Sequence, residues 1–223
     1  MSFNIAIDGP AGAGKSTIAR RLAEKLSFLY VDTGAMYRAV TVYLLQHGIP
    51  PEDQAAVAEA CRDIHISLEY QNGEQQVLLN GVNVNGLLRT EEVGSLTSGV
   101  SAIPAVRELL LDLQKKLAAE NDVIMDGRDI GTNILPGAQL KIYLTASVET
   151  RARRRYLEEM ERNGEADLAL IEERIAIRDY NDMHRAIAPL CQAGDAVCVD
   201  TSDLDIPQVL ERLEALYRER AGL

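Results

Sequence analysis

Apolar residues fall along this chain in short runs set between longer stretches of helical period. Five runs rich in branched residues, Phe3–Ile7, Phe28–Val31, Val123–Met125, Leu140–Leu144 and Ala196–Val199, each end in turn or polar residues and predict strands. Among the helical stretches, Thr17–Leu26 places Ile18, Leu22 and Leu26 on one face. Behind Pro104, a residue suited to a helix's first turn, Val106, Leu109, Leu110, Leu113 and Leu117 form an apolar stripe. Strands alternating with helices predict an α/β fold, a five-stranded parallel sheet flanked by helices. Its ligands are expected at the carboxyl ends of the strands.

One segment departs from this rhythm. Ile64 to Tyr70 alternates with period two, and Asn72-Gly73, Val77–Leu79, Asn80-Gly81 and Val82–Val84 come after it. Asn-Gly pairs tolerate positive φ and mark hairpins, so a small antiparallel β-meander is expected at about residues 62–86, beside the main sheet. No repeat or low-complexity tract interrupts the chain, and a single domain over 1–223 is expected.

Composition narrows the partners. The 223 residues carry a formal net charge of -11, which repels polyanions and argues against a nucleic-acid partner. The local cluster Arg151, Arg153, Arg154 and Arg155 fits a small phosphorylated ligand better than a duplex. No apolar stretch approaches the ~20 residues of a membrane span, and the start lacks signal-peptide character, so a cytoplasmic protein without a membrane partner is expected. Cys61, Cys191 and Cys198 form no CxxC pair and are expected as free buried thiols. His47, His65 and His184 lack metal-ligand spacing.

The chemistry begins at Gly9-Pro10-Ala11-Gly12-Ala13-Gly14-Lys15-Ser16-Thr17, between a predicted strand and a predicted helix. Glycines 9, 12 and 14 let backbone N–H groups converge on phosphate oxygens, and the helix N-terminus adds partial positive charge. Lys15 is placed to reach the β and γ phosphates, and the Ser16 hydroxyl to ligate Mg²⁺. This is a phosphate-binding loop, with ATP as the expected donor. Asp126, ending its strand, and Asp8, ending the first, are alternatives for the carboxylate that supports the metal, and either is equally suited to capping a loop. The Asn-Lys-x-Asp motif of GTPases is missing, which leaves a compact kinase with a second site for the acceptor.

Two further motifs come directly after predicted strands. Asp32-Thr33-Gly34-Ala35-Met36-Tyr37-Arg38 sets an arginine one helical turn past Gly34, and arginine's planar fork pairs two phosphate oxygens. Asp126-Gly127-Arg128-Asp129-Ile130-Gly131-Thr132 brings an arginine and two aspartates to the same edge. Arg178, Asp182 and Arg185, spaced i, i+4 and i+7, are expected on one helical face. Arg151, Arg154 and Arg155 share another, ahead of a helix stop at Asn163-Gly164.

Together with Arg185-Ala186-Ile187-Ala188-Pro189-Leu190, these motifs resemble those of bacterial cytidylate kinases, in order from about residue 4 to 202. That branch of the nucleoside monophosphate kinases has the P-loop kinase fold. The resemblance implies ATP- and Mg²⁺-dependent phosphorylation of CMP and dCMP to CDP and dCDP by a monomer. It implies that Arg38 and Arg128 hold the acceptor phosphate with Thr33 near the nucleotide. Asp129, Ser98 and Arg107 would read cytosine, Arg178 and Asp182 the ribose, and Arg185 the monophosphate region. Lys15, Arg128, Arg154 and Arg155 are the implied catalytic residues. The region of about 33–105 would bind the monophosphate, and about 149–167 would form a helical lid. Thr33 stands where many relatives carry serine, and it preserves the hydroxyl.

Overall fold

The computed structural model describes residues 2–71 and 73–223. Strands β1 (Asn4–Asp8), β2 (Leu29–Asp32), β6 (Val123–Gly127), β7 (Leu140–Thr145) and β8 (Val197–Asp200) form one parallel sheet in the order β2-β6-β1-β7-β8. Each matches a run of branched apolar residues to within one or two positions. Alternation within the strands feeds two cores. Ile5, Ile7 and Ile124 face helices α1 (Lys15–Leu26) and α8 (Ile206–Ala221), whereas Ala6, Val123 and Met125 face α2 (Thr33–Gln46) and α5 (Pro104–Glu120). A strand apolar on both sides is the mark of a covered parallel sheet.

The three shorter strands β3 (Ile66–Gln71), β4 (Glu74–Leu79) and β5 (Val82–Asn83) form a separate antiparallel sheet. Ile66, Val77 and Leu79 turn inward and join the core under α2. The turn at Asn80-Gly81 has φ of 49° and 82°, the left-handed pair that favours this dipeptide. In the other expected turn Gly73 has φ 79°, and Asn72 lies outside the described residues. The short helix α3 (Gln54–Ala60) precedes this sheet, and α4 (Glu91–Val100), capped by Thr90, comes after it.

Helices α6 (Val148–Asn163) and α7 (Leu168–His184) pack on each other around Ala152, Ile171 and Ile175. α6 ends at Gly164, whose φ is 78°. α7 ends at His184, and Arg185 is already extended. Arg178 and Asp182 therefore share the helix, whereas Arg185 lies just beyond it, a departure from the expected single face. The thiols also depart in part: all three are free, but Cys191 and Cys198 are exposed and Cys61 is half-buried.

The carboxyl edge of the sheet is in close register. Asp32 pairs with Asp126, and Asp8 with Gly127, the next residue of β6, so three aspartates lie within one residue of a common level at the ends of neighbouring strands. The chain leaves β1 through Gly9, whose φ is 148°, directly against β7. A Cβ at Gly9 would sit 1.9 Å from the Leu144 carbonyl oxygen, and backbone cannot yield as a side chain can. Gly9→Ala is expected to lower unfolding stability by roughly 2–4 kcal/mol, measured by urea denaturation. A variant as stable as the parent would contradict this packing.

Candidate active site

Gly12 and Gly14 hold φ of 75° and 86°, which turns the loop's amides inward before α1 begins at Lys15. Lys15 is buried, and its ammonium donates to the Pro10 carbonyl at 2.7 Å. Burial and the nearby Arg128 guanidinium hold its pKa well below the usual lysine range. An anion in the loop favours the charged form instead, so phosphate binding and Lys15 protonation reinforce each other. Thr17 is exposed on the first turn.

Ser16 and Asp126 meet at the foot of the loop. Ser16 Oγ donates to Asp126 Oδ2 at 2.9 Å, and the Tyr30 hydroxyl to Oδ1 at 2.9 Å. Burial, then the Asp32 carboxylate, push the Asp126 carboxyl up to about 6. The other alternative, Asp8, is committed elsewhere: its carboxylate accepts from Ile130 N and Gly131 N at 2.8 and 2.7 Å. These amides open a single π-helical turn, Ile130–Ile134, just past β6. Asp8 thus braces the loop bearing Arg128 and Asp129, and Asp126 faces the donor loop.

On the acceptor side, Asp32 caps α2 through Ala35 N at 2.8 Å, and its carboxylate takes Arg38 Nη2 at 3.1 Å. Thr33 is buried, with its hydroxyl donating to the Asp126 carbonyl at 2.8 Å, so it ties β2 to β6. Its oxygen retains capacity as an acceptor.

The remaining expected residues converge in two linked clusters. Asp129 lies between Arg107 and Arg185, paired with the first and 3.2 Å from Nη2 of the second. Arg107 also lies over the Tyr37 ring, 5.6 Å from its centroid. Arg185 donates from Nε to the Ala188 carbonyl at 2.6 Å. That turn puts Ala188 at φ 47°, a strained value for a residue with a Cβ. In the second cluster, Asp182 accepts from Arg128 Nε at 2.8 Å and from Ser98 Oγ at 3.0 Å. Burial opposes its ionisation, but the Arg128 charge and hydrogen bond prevail and hold it below the usual carboxylate range. Burial and the charge of Arg128 lower Arg178 to about 10, and its Nε makes no hydrogen bond among the described residues.

The arginines of α6 part company. Arg151 is buried, donating to the Ala11 carbonyl of the loop at 2.9 Å and pairing with Asp179 of α7 at 2.7 Å. Arg154 donates to the Thr201 carbonyl at 2.6 Å, beyond β8, and the exposed Arg155 pairs with Glu159 at 2.9 Å. Three arginines read as one face thus bind the loop, the sheet edge and their own helix. Sequence reasoning missed Tyr30, Asp32 as Arg38's partner and the Arg151–Asp179 pair. Only Asp32 carried a local signal, as an N-cap residue.

A phosphate loop on this sheet order, facing a cleft of paired arginines and aspartates, defines a P-loop phosphotransferase for a small anionic acceptor. The solved structures agree on the fold: a shikimate kinase from Bacteroides thetaiotaomicron superposes with a TM-score of 0.51 at 14% identity, covering 97% of this chain and 98% of that one. The cytidylate kinase family matches residues 5–219. The cytidylate kinase of Shouchella clausii (strain KSM-K16) is 48% identical, covering 98% of this chain and 97% of the relative. That of Geobacillus kaustophilus (strain HTA426) is 48% identical, covering 99% and 98%. The chain belongs to the cytidylate kinase family.

The burial of Asp8 has a pH signature. Burial raises its pKa from 3.8 to about 6, against the two backbone hydrogen bonds. The fold therefore binds this proton more tightly than the unfolded chain. Its contribution to stability grows as pH falls through about 6 and is complete below 3.8. The parent should gain up to about 3 kcal/mol relative to Asp8→Asn between neutral pH and about pH 4. Denaturation curves of the two proteins that stay parallel across that range would refute the raised pKa of the buried carboxyl.

Proposed function

We propose that this protein transfers the γ-phosphoryl group of ATP to CMP and dCMP, giving ADP with CDP or dCDP. The observation that carries this reading is the placement of Asp129 between Arg107 and Arg185, in a chain of this family. A carboxylate only accepts hydrogen bonds. Cytosine presents an amino donor to such a group, whereas uracil presents a carbonyl that repels it. Ser98 and Arg107 then serve the O2 and N3 acceptors of the base. Arg178 and Asp182 serve the ribose, with Thr33 nearby, and Arg38, Arg128 and Arg185 the phosphate.

The donor phosphates take the backbone amides of Gly9–Thr17 and the Lys15 ammonium. The Ser16 hydroxyl and Asp126 carboxylate are two hard oxygen donors side by side, a set that fits Mg²⁺, which keeps few protein ligands beside water and phosphate. When bound, Mg²⁺ neutralises charge on the transferring phosphates. The residues contribute alignment and positive charge, since the acceptor phosphate is already a nucleophile at neutral pH. Residues of about 33–105 form the monophosphate-binding region. Those of about 149–167 form a lid that moves Arg154 and Arg155 from Thr201 and Glu159 onto the phosphates and excludes water. The protein acts as a cytoplasmic monomer on small nucleotides. Among the described residues, no helix is long and apolar enough to cross a membrane.

Asp129→Asn tests the base-reading role, because it keeps the shape and removes the charge. The KM for CMP should rise about 10- to 100-fold, the range of a hydrogen bond to a charged group, with the KM for ATP nearly unchanged. Equal weakening of both substrates would remove Asp129 as the base reader.

A further inference from the structure

We infer that Gln75, on the inserted antiparallel sheet, is a positioning residue for the acceptor phosphate. It clamps the backbone of Asp32, which orients Arg38. The inference rests on the proposed role of Arg38.

β2 is an outer strand of the main sheet, with β6 on one side only. Alternate residues of a parallel strand direct their backbone groups to opposite sides. Leu29 N donates toward β6, to the Asp122 carbonyl, so Tyr30 and Asp32 face outward. Two side chains of the insert meet that open side. The Tyr70 hydroxyl donates to the Tyr30 carbonyl at 3.0 Å. Gln75 Oε1 accepts from Asp32 N at 2.9 Å, and its Nε2 donates to the Asp32 carbonyl at 3.3 Å. The Gln75 amide thus imitates the peptide of a missing neighbouring strand.

The clamped peptide in turn orients the acceptor arginine. Among the described residues, the Asp32 carboxylate accepts every hydrogen bond that Arg38 makes, at 3.1 and 3.4 Å from Nη2, while Arg38 Nε is buried without a partner. The same carboxylate caps α2 at Ala35 N. Space is tight around it. A Cβ on Gly34 would lie 3.1 Å from Asp32 Oδ1 and 3.2 Å from Arg38 Nη1. With so little slack, the direction of the Asp32 peptide sets the direction of the guanidinium. Among side chains of this length, a primary amide alone both accepts from the N–H and donates to the C=O. A carboxylate would repel the Asp32 carbonyl, and an ammonium cannot accept.

Tyr70 provides the control. It closes the same edge two residues earlier, at Tyr30, and among the described residues its side chain makes no hydrogen bond to Asp32, so it separates sealing a strand from aiming an arginine. Steady-state kinetics and thermal melts of Q75M, Q75E, Y70F and R38A make the test. Q75M keeps length and volume, and should raise the KM for CMP about five- to tenfold with kcat and the KM for ATP within about twofold, the scale of one lost hydrogen bond. Q75E, a folded polar alternative, should raise the KM for CMP as well. Y70F should lower the melting temperature and leave the KM for CMP unchanged. The inference is overturned if either Gln75 variant binds CMP normally, or if Y70F weakens CMP as much as Q75M does. R38A separates the two claims. If R38A raises the KM for CMP and Q75M does not, the clamp falls alone. If R38A leaves it unchanged, the phosphate role of Arg38 falls, and the clamp with it.

Discussion

A guanidinium taken out of water needs a carboxylate beside it, and the cleft is organised around that requirement. Arg38 faces Asp32, Arg107 and Arg185 share Asp129, Arg128 faces Asp182, and Arg151 faces Asp179. The carboxylates come from β2, the loop after β6, and α7, so pairing the charges also joins the elements that carry them. Counted over these pairs, five arginines meet four aspartates, and Arg178 and Lys15 stand nearby, as do the carboxyl groups of Asp8 and Asp126. A chain of net charge -11 thus gathers six arginines at one cleft. Low local dielectric strengthens the pull of these charges on a bound phosphate.

Asp126 links the two halves of this arrangement. Its carboxylate holds Ser16 of the donor loop and the Tyr30 hydroxyl, and its carbonyl holds Thr33 at the start of the acceptor helix. Burial and Asp126 push the Tyr30 phenol well above its usual pKa, which keeps it a donor. On the next strand, Asp8 fixes the π-helical turn behind Asp129. The proposed donor and acceptor sites thus share one hydrogen-bonded sheet edge. The hydrogen bonds that tie these strand ends together are present in the resting fold.

Much of this was legible in the sequence, for reasons that differ by residue. The strands could be read because a covered parallel strand is apolar on both faces, and Gly9–Thr17 because its chemistry is local. The antiparallel insert announced itself through period two and Asn-Gly. Helix α4 was obscured by Gly94 and Gly99, although it carries Ser98 to Asp182. Arg185 was placed on a helical face because spacing alone does not show where a helix stops; Pro189, four residues on, was the signal. The divergence of Arg151, Arg154 and Arg155 could not be read at all. Their partners, Ala11, Asp179, Thr201 and Glu159, are mostly distant in sequence. Gln75 and Tyr30 were hidden for the same reason.

The paired charges and the phosphate loop lie in one cleft of a chain of the cytidylate kinase family, for which a cytidine monophosphate acceptor beside an ATP donor is proposed. Initial rates of ADP release with Mg²⁺, compared across CMP, dCMP, UMP, AMP and shikimate, test this most directly. Rapid turnover is expected with CMP and dCMP, weaker use of UMP, and little above background with AMP or shikimate. Tight ATP binding without turnover on CMP, or equal turnover on AMP and CMP, would contradict it.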